Sequence, residues 1–141
     1  MKTWEYFLNS GDLIQASSLI QEDEIAYFEK IMNVTMGEQL KNYILQFGCI
    51  GYEFITFFGI IERLKERSSM VKHTLYLHEK ASQTLPFIAF EDQGDGDFYL
   101  VDSEDNVYRY LESRDELQEL SLKLNEYILE RLNLAYSLTK Q

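Results

Sequence analysis

Six consecutive residues, Asp92-Gln93-Gly94-Asp95-Gly96-Asp97, hold the densest set of oxygen donors in the chain. Carboxylates this close together in a Gly-rich turn have the chemistry that Ca²⁺ or Mg²⁺ takes. An EF-hand loop is not met, because the alternate acidic places after Asp92 hold Gly94 and Gly96, and Ser103 stands where the bidentate Glu belongs. Three readings of this turn stand together: a cation site, a solvated turn between strands, and an acidic recognition surface for a basic partner. Paired acids also serve glycoside hydrolysis, but that needs one carboxyl raised in pKa within a cleft, and nothing in the run suggests apolar burial of any one acid. His73 and His78 are five apart, which brings them together on neither a helix nor a strand. Cys49, the single cysteine, sits in the apolar Phe47-Gly48-Cys49-Ile50 and reads as a small buried hydrophobe. There is no phosphate-cradling Gly loop, paired-cysteine motif, HExxH or serine elbow. The sequence therefore assigns no catalytic residue, no metal ligand and no cofactor.

The charge of the chain points toward binding. Between Glu91 and Glu116 stand ten acids against only Arg109 and Arg114, so this stretch holds most of the formal net charge of −11. A polyanion such as DNA or RNA is repelled by such a surface, whereas a basic protein is steered to it. Asp92, Asp95, Asp97, Asp102, Glu104 and Asp105 are the expected partner-binding acids, with Tyr99 and Tyr108 as aromatic anchors among them. Alternate aromatics of the same stretch are expected in the core. The segment 63–80 has five Lys and Arg but also Glu66 and Glu79, the pattern of a solvated helix surface. No apolar run approaches the roughly 18 residues of a membrane span, and the start lacks the pattern of a secretory signal. The single cysteine allows no internal disulfide. A cytoplasmic protein is the expectation, monomer or dimer.

A chain of 141 residues with 45% hydrophobic side chains suits one ordered domain, taken as residues 1–141. The first 21 residues read as a short amphipathic lead-in. Ile25, Phe28 and Met32 predict a helix over 22–33, with Glu22, Asp23 and Glu24 at its positive end. A second helix is expected from a Thr35–Glu38 capping box, with Leu40, Tyr43, Ile44 and Phe47 on one face and Gly48 as its stop. The aromatic run 52–58 reads as a strand. Residues 60–80 are open between helix and strand. From Leu85 the period becomes two: strands over 85–90, 97–102 and 107–111 are joined by turns at 93–96 and 103–106. Ser113 and Glu116 suggest another capping box, opening a helix with Leu117, Leu120, Leu124, Ile128 and Leu132 on one side. Polar and apolar residues also alternate over 119–124, so that element can break near Ser121. The expected fold is α+β, a mainly antiparallel sheet of four or more strands that includes 52–58, flanked by N- and C-terminal helices on one face.

This order of pieces resembles the SUKH superfamily. The likeness rests on Ile25-Ala26-Tyr27-Phe28-Glu29, on Leu40, Tyr43, Ile44, Phe47, Gly48 and Gly51, and on the strand 52–58 ending at Gly59. It rests further on Leu85-Pro86-Phe87-Ile88-Ala89-Phe90, on Gly94-Asp95-Gly96-Asp97-Phe98-Tyr99-Leu100, on Val107-Tyr108-Arg109-Tyr110 and on the helix 124–129. It covers residues 20–132. The chain departs from the family pattern in lacking a Pro at the second helix start, where Thr35-Met36 stand, and an Asn before the glycine. The resemblance implies a shared α+β scaffold with a variable binding surface and no catalytic set. It further implies an immunity protein of a bacterial toxin system, whose partner is a basic toxin domain such as a nuclease, or else a regulatory or scaffold protein bound to an endogenous cell-wall or signalling partner.

Overall fold

The computed structural model describes residues 1–16, 20–61, 69–94 and 96–140. Among the described residues, helices α1 (Trp4–Asn9), α2 (Ile25–Met32), α3 (Glu38–Phe47), α4 (Ser69–Lys80) and α5 (Leu124–Thr139) combine with two antiparallel sheets. The smaller sheet has the order β1 (Ile14–Ala16), β2 (Cys49–Tyr52), β3 (Ile55–Thr56). The larger is a meander of β4 (Ile88–Asp92), β5 (Asp97–Val101), β6 (Asn106–Leu111) and β7 (Glu116–Lys123). The architecture is α+β, with helices from both ends of the chain flanking a four-stranded antiparallel sheet.

Adjacent residues on β5 fix the layers, because neighbours on a strand point to opposite faces. Phe98 meets His73 and Tyr76 of α4, while Tyr99 stacks on Tyr127 of α5 at 5.4 Å. The large sheet is thus covered on both faces, not on one as the amphipathic pattern alone suggests. Phe90 of β4 stacks on Phe57 at 5.0 Å and meets Tyr43 of α3 edge-on at 4.9 Å. The Tyr43 hydroxyl, buried at the same junction, donates to the Phe58 carbonyl and accepts from the Ile50 amide. One phenol so ties α3 to both ends of the small hairpin. Gly59 is forced by close approach there: a Cβ would lie 1.8 Å from the Gly48 carbonyl oxygen.

Several sequence expectations are corrected. The run 52–58 is not a strand of the large sheet. Glu53 turns left-handed (φ 52°) and splits it, so Tyr52 and Ile55 pair across a tight hairpin and both reach the core while Phe54 stays exposed. The fourth strand of the large sheet is instead β7, where a helix entry was expected. Asp115 adopts φ 49° after the short 3-10 turn Glu112–Arg114 and reverses the chain, so 116–123 pair with β6. Pairing against β6 outweighs the local Ser113–Glu116 capping signal, and the helix starts only at Leu124. Strand β4 begins at Ile88, after a 3-10 turn at Ser82–Thr84 and the turn holding Pro86. The segment left open between helix and strand is helical over Ser69–Lys80, and residues 62–68 of it lie outside the described residues. Cys49 is half-buried on β2, and burial pushes its thiol pKa up.

Helix α3 is capped differently from the Thr35–Glu38 prediction. Its N-cap is Gly37, which has no side chain to offer the free amides of the first turn. The carboxylate of Asp105 supplies the acceptor instead, from the turn between β5 and β6.

Candidate partner-binding surface

Strand β5 divides the acid run into two groups. Asp92 and Asp97 flank the β4–β5 turn, while Asp102, Glu104 and Asp105 occupy the β5–β6 turn at the other end of the strand. A five-residue strand separates them by on the order of 15 Å. Asp95 lies outside the described residues. The contiguous patch that the sequence suggests is therefore two separate ends of a sheet.

Most of these side chains hold the fold. Asp97 is ion-paired with Arg109, whose Nε reaches it at 3.0 Å. Asp102 accepts from the amides of Glu104 and Asn106 and from the Asn106 side chain, closing its own turn. Asp105 is buried, 6% exposed, and adopts φ 66° while it caps α3, which removes it from any contact surface. Asp92 is exposed and accepts from the Gly94 amide, and Glu104 is exposed with its carbonyl taken by Lys123 Nζ. Tyr108 is half-buried, edge-on to Phe87, and Tyr99 is half-buried under α5.

Two contacts lock α4 and the turn that follows it against the β6–β7 turn, and a third closes that turn on β6. Tyr76 donates to Glu112, and both Gln83 and Tyr110 donate to Asp115. Burial, followed by the Asp115 bond, pushes the Tyr110 phenol up to about 12, while the same two donors hold the Asp115 carboxyl below its ordinary value. The histidines of α4 are structural as well. His73 bonds the Ser69 carbonyl and stacks on Phe58, and His78 bonds the Phe87 carbonyl.

The open surface lies beneath α5. Register places Glu91, Tyr99, Arg109 and Gln118 in one row across the four strands of the large sheet. Helix α5 crosses over the β4 end of that row. Tyr127 stacks on Tyr99 and donates its hydroxyl to Glu91, while Arg131 grips the same carboxylate with Nε at 3.0 Å and a terminal nitrogen at 2.7 Å. Glu91 is 2% exposed, so this acid of the run is a core group. A buried carboxylate is tolerated only when paired and fully bonded, and here a bidentate guanidinium and a phenol do both. Burial first, then the Glu91 charge, raises the Tyr127 pKa well above the phenol range.

At the β7 end the same row is open. A groove of about 420 Å³ runs between α5 and the sheet, with Tyr99, Leu120, Leu122, Tyr127 and Leu134 among its walls. Arg109 and Arg131 also line it, but each is held by an internal carboxylate, Asp97 and Glu91 respectively. Glu130 lines it and Glu126 stands exposed one turn earlier on α5, whereas Glu119, registered with Tyr108, is exposed on the opposite face of β7. The sequence reading missed this groove because it placed 116–123 in a helix. The alternation of Gln118, Leu120 and Leu122 was the signal that could have found it. Among the described residues, no group of three or more His, Cys, Asp or Glu is arranged to hold a metal ion, and no helix is long and apolar enough to cross a membrane.

Compared with known proteins, residues 8–133 match a family model, SUKH_5, described as SMI1-KNR4 cell-wall. No curated protein matches the chain.

Proposed function

The chain belongs to the SUKH_5 family (SMI1-KNR4 cell-wall) and through it to the SUKH superfamily, and from that premise we propose that it is a non-catalytic immunity protein. It binds a basic toxin domain, of the nuclease type, in the cytoplasm and blocks its active site or substrate groove. The observation that carries this reading is the groove beneath α5, where apolar walls meet the exposed acid Glu130 and every lining arginine is matched by an internal carboxylate. An apolar centre with a charged rim is the anatomy of a protein interface. An acidic rim also speeds encounter with a basic cleft. Toxic nucleases carry such clefts, because they bind a polyanion. The side chains that could do chemistry are engaged otherwise: His73 and His78 bond carbonyls, and Glu91 is locked between Tyr127 and Arg131.

The test is an affinity pull-down from the native host, followed by co-expression with the toxin domain that co-purifies. A stable complex and loss of toxicity are expected. Growth arrest that persists despite abundant folded protein refutes the immunity role. The description of the matched family favours one second reading, a regulatory or scaffold protein with an endogenous cell-wall partner. That reading predicts a cell-wall phenotype on deletion in a strain that lacks the toxin.

A further inference from the structure

We infer that β7 is a docking edge, which takes an extended segment of the partner as a fifth strand of the large sheet, with apolar side chains over the groove and Lys or Arg at its flanks. The inference rests on the partner-binding reading above and specifies how the partner is held. It starts from the two edges of the sheet. At the β4 edge the segment after β3 closes on the strand, with the Phe58 amide donating to the Phe90 carbonyl at 2.7 Å. At the other edge, β7 is the last strand of the order and, among the described residues, pairs with β6 alone. Its outward-facing amides and carbonyls, interrupted by the bulge at Ser121 (φ 57°), so present backbone donors and acceptors to solvent, the template on which a peptide strand adds.

The side chains state what kind of strand fits. Gln118, Leu120 and Leu122 alternate onto the α5 side and form one wall of the groove, facing Leu134, which is 46% exposed. Alternate residues of an added strand project to that same side, so apolar ones extend this wall. Glu130 on α5 lines the groove with Glu126 exposed one turn before it, and Glu119, opposite Tyr108, is exposed on the other face of β7, where the remaining residues of an added strand project. The one cation of β7, Lys123, is turned to the Glu104 carbonyl at 2.9 Å. Charge complementarity therefore selects a basic strand. A second copy laid antiparallel on β7 in full overlap would set Glu116 opposite Lys123, and the dimer outcome of the test distinguishes it.

The test uses the full chain as bait for a phage-displayed random dodecapeptide library, followed by binding of the synthetic consensus peptide. The expected consensus alternates Leu, Ile or Val with Lys or Arg. Bound peptide should slow hydrogen exchange at amides within 116–123, and Glu119→Lys with Glu130→Lys should weaken it at least tenfold. Both positions are exposed, so this variant should fold, as circular dichroism would verify. No enrichment, an acidic or helical consensus, protection confined to other segments, or a β7-paired dimer would each overturn the inference. Failure here is separable from failure of the immunity role: if the peptide arm fails and the co-expressed toxin is still neutralised, the partner binds elsewhere on the protein.

Discussion

The Asp105 carboxylate caps helix α3 from 65 residues away, accepting the Leu40 amide at 3.1 Å and the Gln39 amide at 3.0 Å. The close fit needs a glycine at the cap itself, because a Cβ on Gly37 would lie 2.5 Å from the same carboxylate. The Asp105 carbonyl also accepts the Leu124 amide at the start of α5, so one turn of the large sheet anchors two helices. Asp105→Ala should cost about 1–2 kcal/mol, the range for loss of a helix cap. Asp105→Asn should cost less, since Asn keeps an acceptor and tolerates positive φ. Urea denaturation of the two variants checks the order, and equal losses would mean that the cap contributes little.

Arg131 and Glu91 pose a different energetic problem, because the pair is almost fully withdrawn from water, with side chains 14% and 3% exposed. Arg131→Met alone leaves a buried carboxylate that keeps the Tyr127 hydroxyl but loses its countercharge, and should destabilise by about 3–5 kcal/mol. Replacing both partners, Arg131→Met with Glu91→Leu, should recover most of that loss, since no buried charge is left behind. Denaturation of the two singles and the double completes the cycle. A double variant no more stable than the worse single would show that the loss comes from packing and not from charge.

The meander β4–β5–β6 was legible because period-two patterning and Gly or Asp-Asn turns agree locally, and the same holds for the apolar stripes of α2 and α3. The errors share one physical cause. Residues 116–123 have both an i, i+3 apolar stripe and an alternating pattern, and only the partner strand β6 decides between them. Residues 52–58 look continuous in composition, yet the turn at Glu53 depends on burying Tyr52 and Ile55 together. The acids looked like a patch because charge counts ignore direction: Glu91 points under α5, Asp105 into α3, and Asp97 at Arg109. The groove was invisible for the same reason, as its walls come from β5, β6, β7 and α5.

Stability should fall at both ends of the pH scale for identifiable reasons. The Tyr110 phenol is raised from 10.0 to about 12 in the fold, so the unfolded chain ionises first. Its contribution is complete below pH 10 and is lost as the pH rises toward 12. Asp115 works in the opposite sense: its folded pKa is lowered from 3.8, so its contribution is present above that value and is lost as the pH falls through the folded pKa. Tyr110→Phe removes the phenol and its bond to Asp115, and should flatten both limbs of the stability curve. Urea midpoints measured from pH 3 to 11 test this, and unchanged limbs in the variant would assign the pH dependence to other groups.

The two acidic groups should act differently on partner binding. Glu119, Glu126 and Glu130 are exposed on β7 and α5, whereas Asp97, Asp102 and Asp105 are spent on internal bonds. Long-range steering depends on net charge near the contact and is screened over about 10 Å at 0.1 M salt. Neutralising the first set, Glu119→Gln with Glu126→Gln and Glu130→Gln, should slow association with a basic toxin domain several-fold at low salt. The difference from the unchanged protein should shrink as salt is added, with dissociation much less affected. Neutralising Asp102 (Asp102→Asn) should change thermal stability more than association. Stopped-flow mixing across a salt series separates the two, because an electrostatic effect on the on-rate has a salt slope and a folding defect does not. Equal salt slopes for the triple variant and the parent would rule out these acids as the steering surface.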